Sequence, residues 1–105
     1  MQMRKAVVFG VLMAMAAPAV PALAATKKEQ DCAYQGQVVE AVRQARIARV
    51  SERKVPEHVA ASGPGWPEQY SAAVPLVTPW VYEMKMRDVK AQDLAAAWVE
   101  SCLSQ

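Results

Sequence analysis

Cys32 and Cys102 are the only thiols in the 105-residue chain, and they stand near the two ends of its polar portion. A bond between them would close a loop of about seventy residues, worth ~4 kcal/mol in the chain-entropy account. A small domain usually gains only ~3–5 kcal/mol from its core, so the bond would rival the whole contribution of apolar burial. Two buried free thiols and a redox pair are the competing readings. Redox pairs usually sit as Cys-x-x-Cys, which the chain lacks. A structural disulfide is therefore expected, and such bonds persist in oxidising compartments.

The N-terminus agrees with that compartment. Arg4 and Lys5 precede an uncharged apolar run, Ala6 to Ala17, that is too short to span a bilayer. Pro18 and Pro21 break the run, and Ala22-Leu23-Ala24 places small residues where a signal peptidase reads. This order marks residues 1–24 as a secretory signal peptide; an uncleaved membrane anchor is the alternative. Residues 25–105 are then a single domain, periplasmic or secreted, with no membrane attachment after cleavage.

Without Arg4 and Lys5, the 12 cations fall to ten, matching the 10 carboxylates. A nucleic-acid ligand needs surplus cations to displace counterions from phosphates, so no nucleic-acid partner is expected.

Hydrophobic spacing predicts an all-α fold, a small bundle of three to five short helices closed by one disulfide. The first helix is expected from Asp31, as N-cap, to Arg49 or Val50, with Val38, Val39, Val42 and Ala45 as its apolar stripe. Gly36 inside it would allow another helix to approach closely. Val55–Ala61 reads as one or two helical turns with Pro56 at the first position, and 62–67 as a turn cluster. A helical stretch is expected from Pro67 to Val74, interrupted by Pro75 and Pro79. Thr78 would cap a fresh helix running from Pro79 to about Arg87, paired as a hairpin with the C-terminal helix. In that last helix Leu94, Trp98 and Cys102 recur every fourth residue and share a face.

Catalytic groupings are sparse. His58 is the only histidine, and no serine sits in a nucleophile-elbow context. A zinc site wants three or four Cys or His ligands at defined spacing. Met84 and Met86 would face nearly opposite sides of a helix, which argues against a thioether copper site. Gly63 and Gly65 flank a proline instead of opening a helix, so no phosphate loop is present. The chain is read as a non-enzyme with no cofactor and no metal. Two features suggest a contact surface instead. Arg46, Arg49 and Arg53 fall on one helical line, which is either a guanidinium site or a solvated basic face. Trp66 lies in the Gly/Pro turn cluster with Tyr70 just beyond, either as a ligand platform or as a lid over the core. These five residues are the candidate partner-binding positions.

The segments Asp31-Cys32-Ala33-Tyr34, Ala45-Arg46, Trp66-Pro67-Glu68-Gln69-Tyr70 and Lys85-Met86-Arg87-Asp88-Val89, followed by Asp93-Leu94, Trp98 and Cys102, resemble a loose group of short, exported, two-cysteine helical proteins of proteobacteria. The resemblance implies a small helical fold and transfers no activity. In general plan the chain is also similar to acid-activated periplasmic chaperones of the HdeA type, although its cysteines lie closer to the chain ends, and to small periplasmic immunity proteins. Binding of a protein partner is the expected function. An acid-stress chaperone is the alternative, and an enzyme comes third.

Overall fold

The structure, a computed structural model, describes residues 25–105. The expected signal peptide, residues 1–24, lies outside the described residues. Five α-helices follow one another, α1 (Lys27–Ile47), α2 (Val55–Ala61), α3 (Val74–Glu83), α4 (Met86–Ala91) and α5 (Leu94–Leu103). Short 3₁₀ turns at Glu52–Lys54 and Glu68–Ala73 lead into α2 and α3. No strand occurs among the described residues. The fold is the expected all-α bundle, and Cys32 is bonded to Cys102 with Cα atoms 5.7 Å apart.

Helix α1 begins earlier than its apolar stripe suggests. Thr26 is the N-cap, its hydroxyl oxygen accepting the Glu29 amide at 3.1 Å. Asp31 therefore lies one turn inside the helix and is free for a tertiary role. The helix stops at Ile47, because Arg49 adopts a positive φ of 62° and Val50 donates back to the Ala45 carbonyl at 3.0 Å. A left-handed residue just past the last turn is a common way to end a helix, normally at glycine.

The valine stripe of α1 is fully buried, as its spacing requires. Its partners are Val55 and Val59 of α2, Val74, Val77 and Val81 of α3, Val89 of α4 and Leu94 of α5. The largest side chains with less than 2 % exposure are one leucine, seven valines and Cys32. Helix α1 is thus the central post, touched by each of the other four helices.

The proline-rich stretch departs from expectation. Pro75 occupies the first turn of α3, where its missing N–H costs nothing. Pro79 then sits inside the helix and does not restart it. Thr78 is no cap: it is buried and its hydroxyl donates to the Val74 carbonyl at 2.6 Å. Burial of Val74, Val77, Thr78 and Val81 along one face holds the helix through the proline. The chain turns at Met84 and Lys85, so the expected single helix to Arg87 is two helices, α3 and α4.

Helix α5 packs chiefly on α1, not on its predecessor as a hairpin. Asp93 caps it by accepting the Ala96 amide at 3.0 Å. Gly36 makes the approach possible. A Cβ there would stand 2.6 Å from Cγ2 of Val99.

Arg43, which carried no sequence signal, ties α4 to α1. Its Nε donates to the Val89 carbonyl at 2.7 Å and its Nη2 to the Lys90 carbonyl at 3.0 Å. These carbonyls end α4 and have no partner within the helix, so the guanidinium caps it. Glu40 holds the same guanidinium from behind at 3.1 Å.

Candidate functional site

The five candidate contact residues do not form one face. Arg46 is half-buried, its guanidinium 5.1 Å above the ring of Tyr82 and its Nη2 donating to the Met84 carbonyl at 3.4 Å. Tyr82 in turn donates to the Val50 carbonyl at 2.6 Å, so the pair fastens the end of α1 to the end of α3. Arg49 and Arg53 are exposed on either side of the α1–α2 connection and line two different depressions. None of the three pairs with a carboxylate among the described residues. The helical line that joined them in the sequence is broken at Ile47.

Trp66 is a lid, not a platform. It is 8 % exposed, belongs to the core, and its Nε1 donates to Ser71 Oγ at 3.1 Å. Tyr70 is half-buried, its ring 4.9 Å from that of Tyr34, and its hydroxyl donates to the Asp31 carboxylate. That hydrogen bond, followed by desolvation, raises the Tyr70 phenol above its ordinary value of 10.0. Burial likewise raises Tyr82, while the Arg46 charge opposes the rise.

Another face gathers what these residues lack. Trp80 on α3 and Trp98 on α5 stand with ring centroids 5.5 Å apart, tilted by 52°. They wall a groove of about 400 Å³, completed by Gln35, Ala97, Ser101, Cys102 and Gln105. No charged side chain lines it, whereas each of four other surface depressions carries at least two, but Lys28 donates to the main-chain oxygen of Gln105 at its edge. Leu76, one helical turn before Trp80, is 77 % exposed between the exposed Pro75 and Pro79. The apolar surface therefore runs from the outer face of α3 into the groove.

Each wall has a local cause. Val77 and Val81 turn inward on α3, and Leu76 and Trp80, each one residue earlier, lie about 100° round the helix on its flank, with Trp80 still packed against the edge of the core. On α5 Leu94 is buried and Trp98, one turn on, is half-buried at the rim. Trp98 is fixed by its Nε1–H, which donates to Gln35 Oε1 at 3.0 Å. The disulfide anchors the floor, since Cys102 lines the groove and Cys32 beneath it is 1 % exposed.

The three indole N–H groups differ. Those of Trp66 and Trp98 are engaged, while that of Trp80 has no acceptor among the described residues. With the Gln35 oxygen taken by Trp98, its amide N–H₂ is also unengaged, beside the Ser101 hydroxyl. The groove is therefore apolar in its walls, with both donors and acceptors at its edge from Gln35, Ser101 and Gln105. The spacing of Leu94, Trp98 and Cys102 shows one wall of this site, but Trp80 lies on a separate helix and nothing in the sequence brings it to that face.

Among the described residues no group of three or more His, Cys, Asp or Glu side chains is placed to hold a metal ion. His58 is exposed on α2, in a depression shared with Arg49, Lys54 and Glu57. No helix among the described residues is long and apolar enough to cross a membrane. A scan of protein-family models found no match to this chain, and neither the curated proteins nor the solved structures gave a significant one.

Proposed function

We infer that this is a small exported scaffold, periplasmic or secreted, that binds a protein partner through the tryptophan groove. The observation that carries this reading is the Trp80–Trp98 pair in a groove lined by no charged side chain and continuous with the exposed Leu76. Tryptophan-rich apolar patches drained of charge are where binding energy concentrates in protein interfaces. Burying a leucine is worth about 1.5–3 kcal/mol, most of which Leu76 forgoes in the isolated chain. The disulfide supports an oxidising location, and near-neutral charge in residues 25–105 supports a partner held by apolar contact.

The test is capture from periplasmic extract with the oxidised protein and three variants. Leu76→Asp and Trp98→Ala should lose a partner that the parent retains, while Arg49→Glu keeps it. Equal recovery by all four proteins would refute the assignment.

An acid-stress chaperone is a second reading. In strong acid the ten cations of residues 25–105 lose the opposing charge of the ten carboxylates, and self-repulsion then works against a compact bundle. Apolar-dye binding and suppression of client aggregation in strong acid test it. A chain that stays compact and inert there excludes it.

A further inference from the structure

We propose that Cys102 is a site of thiol exchange: a small external thiol enters the disulfide at this sulfur, stays on it as a mixed disulfide, and frees the last turn of α5. The two sulfurs are unequally placed. Cys32 is 1 % exposed, on the buried face of α1, and only this sliver of it borders the surface. Cys102 is half-buried between the exposed Ser101 and Leu103. It lines both the tryptophan groove and a second depression of about 580 Å³ on the side of Lys27 and Lys28. Its Sγ lies 3.7 Å from Oε1 of Gln35, a residue common to both depressions, which puts the sulfur at the seam between them.

Exchange requires a thiolate to reach a sulfur, and its rate depends on access and on the leaving group. The two factors oppose each other here. Attack at Cys32 would expel the better leaving group, the half-exposed Cys102 thiolate, whereas attack at Cys102 expels a thiolate that burial disfavours. Access decides, because Cys32 cannot be touched until the fold opens, and no leaving group acts before contact. The step balances. The external thiolate bonds to Cys102 Sγ, the Cys32–Cys102 bond breaks, and Cys32 departs with the electron pair and takes a proton from water. One disulfide replaces another, so no oxidant is consumed.

The release of the last turn follows from what else holds it. Among the described residues of α5 only Leu94, in the first turn, is buried, and beyond Val99 every residue except Cys102 is exposed. The other tie of this turn to α1 is the Lys28 ammonium, which donates to the Gln105 main-chain oxygen on the surface, where water replaces it at little cost. Leu94, the Asp93 cap and the seat of Val99 on Gly36 keep the earlier turns in place.

The experiment treats the purified oxidised protein with reduced glutathione at about pH 8, where part of the reagent is thiolate. Early samples are quenched in acid, digested with pepsin and mapped by mass spectrometry. Glutathione should be found on the Cys102 peptide in about tenfold excess over the Cys32 peptide, with the matching free thiol on Cys32. Urea below the unfolding transition should leave the rate unchanged, because the folded chain is the one attacked. An even split, or a rate that climbs with urea from the outset, would show that thiols reach the bond only in opened chains and would overturn the proposal. So would a majority of adduct on Cys32, or none on either sulfur. Cys32→Ser carrying glutathione on Cys102 then reproduces the adduct without a competing thiol. At low temperature its amides at residues 100–105 should lose protection from hydrogen exchange, while those at residues 36–47 of α1 keep theirs. Protection retained in the last turn would refute its release, and protection lost throughout would show that the bond holds the whole bundle instead of one turn.

Discussion

The contact between Gly36 and Val99 yields a prediction whose sign can be reversed on demand. Replacing Gly36 with alanine adds a Cβ 2.6 Å from Val99 Cγ2. Carbon atoms settle at about 3.5–4.0 Å, so one partner must move by roughly 1 Å. Neither moves freely. The branched side chain of Val99 is stiff about χ1. The helix that carries it is pinned three residues later by the disulfide, and Gly36 is itself four residues past Cys32. Overpacking of this kind costs typically 1–3 kcal/mol. Against it stands the gain from replacing glycine within a helix, about 1 kcal/mol. Gly36→Ala alone should therefore destabilise by ~1 kcal/mol, lowering Tm by about 4–8 °C for a domain of this size. Val99→Ala removes the obstructing methyl. In that background the same glycine substitution should become stabilising by about 1 kcal/mol, a coupling of ~2 kcal/mol between the two positions. Urea denaturation of the four proteins measures the cycle. Gly36→Ala that stabilises both backgrounds equally would show that α1 and α5 do not meet as closely as described.

Three other outcomes are expected. Cys32→Ser with Cys102→Ser should cost ~4 kcal/mol, the value for a closed loop of separation 70, with loss of far-ultraviolet helicity at elevated temperature as the readout. Arg43→Met should destabilise by about 2 kcal/mol, because two charge-assisted bonds to the end of α4 disappear, whereas Arg53→Ala should change stability by less than ~0.5 kcal/mol; denaturation midpoints compare them. Tyr70 should ionise above its ordinary value of 10.0 in an alkaline ultraviolet titration, and Asp31→Asn should bring it down. The neutral phenol is the form the fold favours, so the stability it contributes is complete below the unfolded value. It is lost as pH rises through the higher folded value.

Much of the scaffold was readable from local spacing. The valines of α1, the proline start of α2, the glycine that admits a neighbouring helix and the cysteine pair all depend on residues close in sequence or on a count of two. What escaped depends on distant partners. Pro79 reads as a helix break by itself, yet the buried face of Val74, Val77 and Val81 overrides it. Arg43 looks like any surface cation until the ends of α4 arrive 46 and 47 residues later. Asp31 looks like an N-cap because its bond partner, Tyr70, lies 39 residues away. The arginine line failed for a backbone reason, the left-handed Arg49 that ends the helix on which the line was drawn. The tryptophan groove was missed for the same cause as Arg43: its walls are 18 residues apart in sequence and meet only because α5 folds back on α1.

The predominance of valine in the interior has a thermodynamic corollary. A valine in a helix already occupies one χ1 well for most of the time, before any neighbour constrains it. Closing these helices around α1 therefore surrenders little rotational freedom, compared with a centre built from leucine and methionine. A short chain with few large apolar side chains benefits in this way: once its backbone is helical, the valines have little rotameric freedom left to lose.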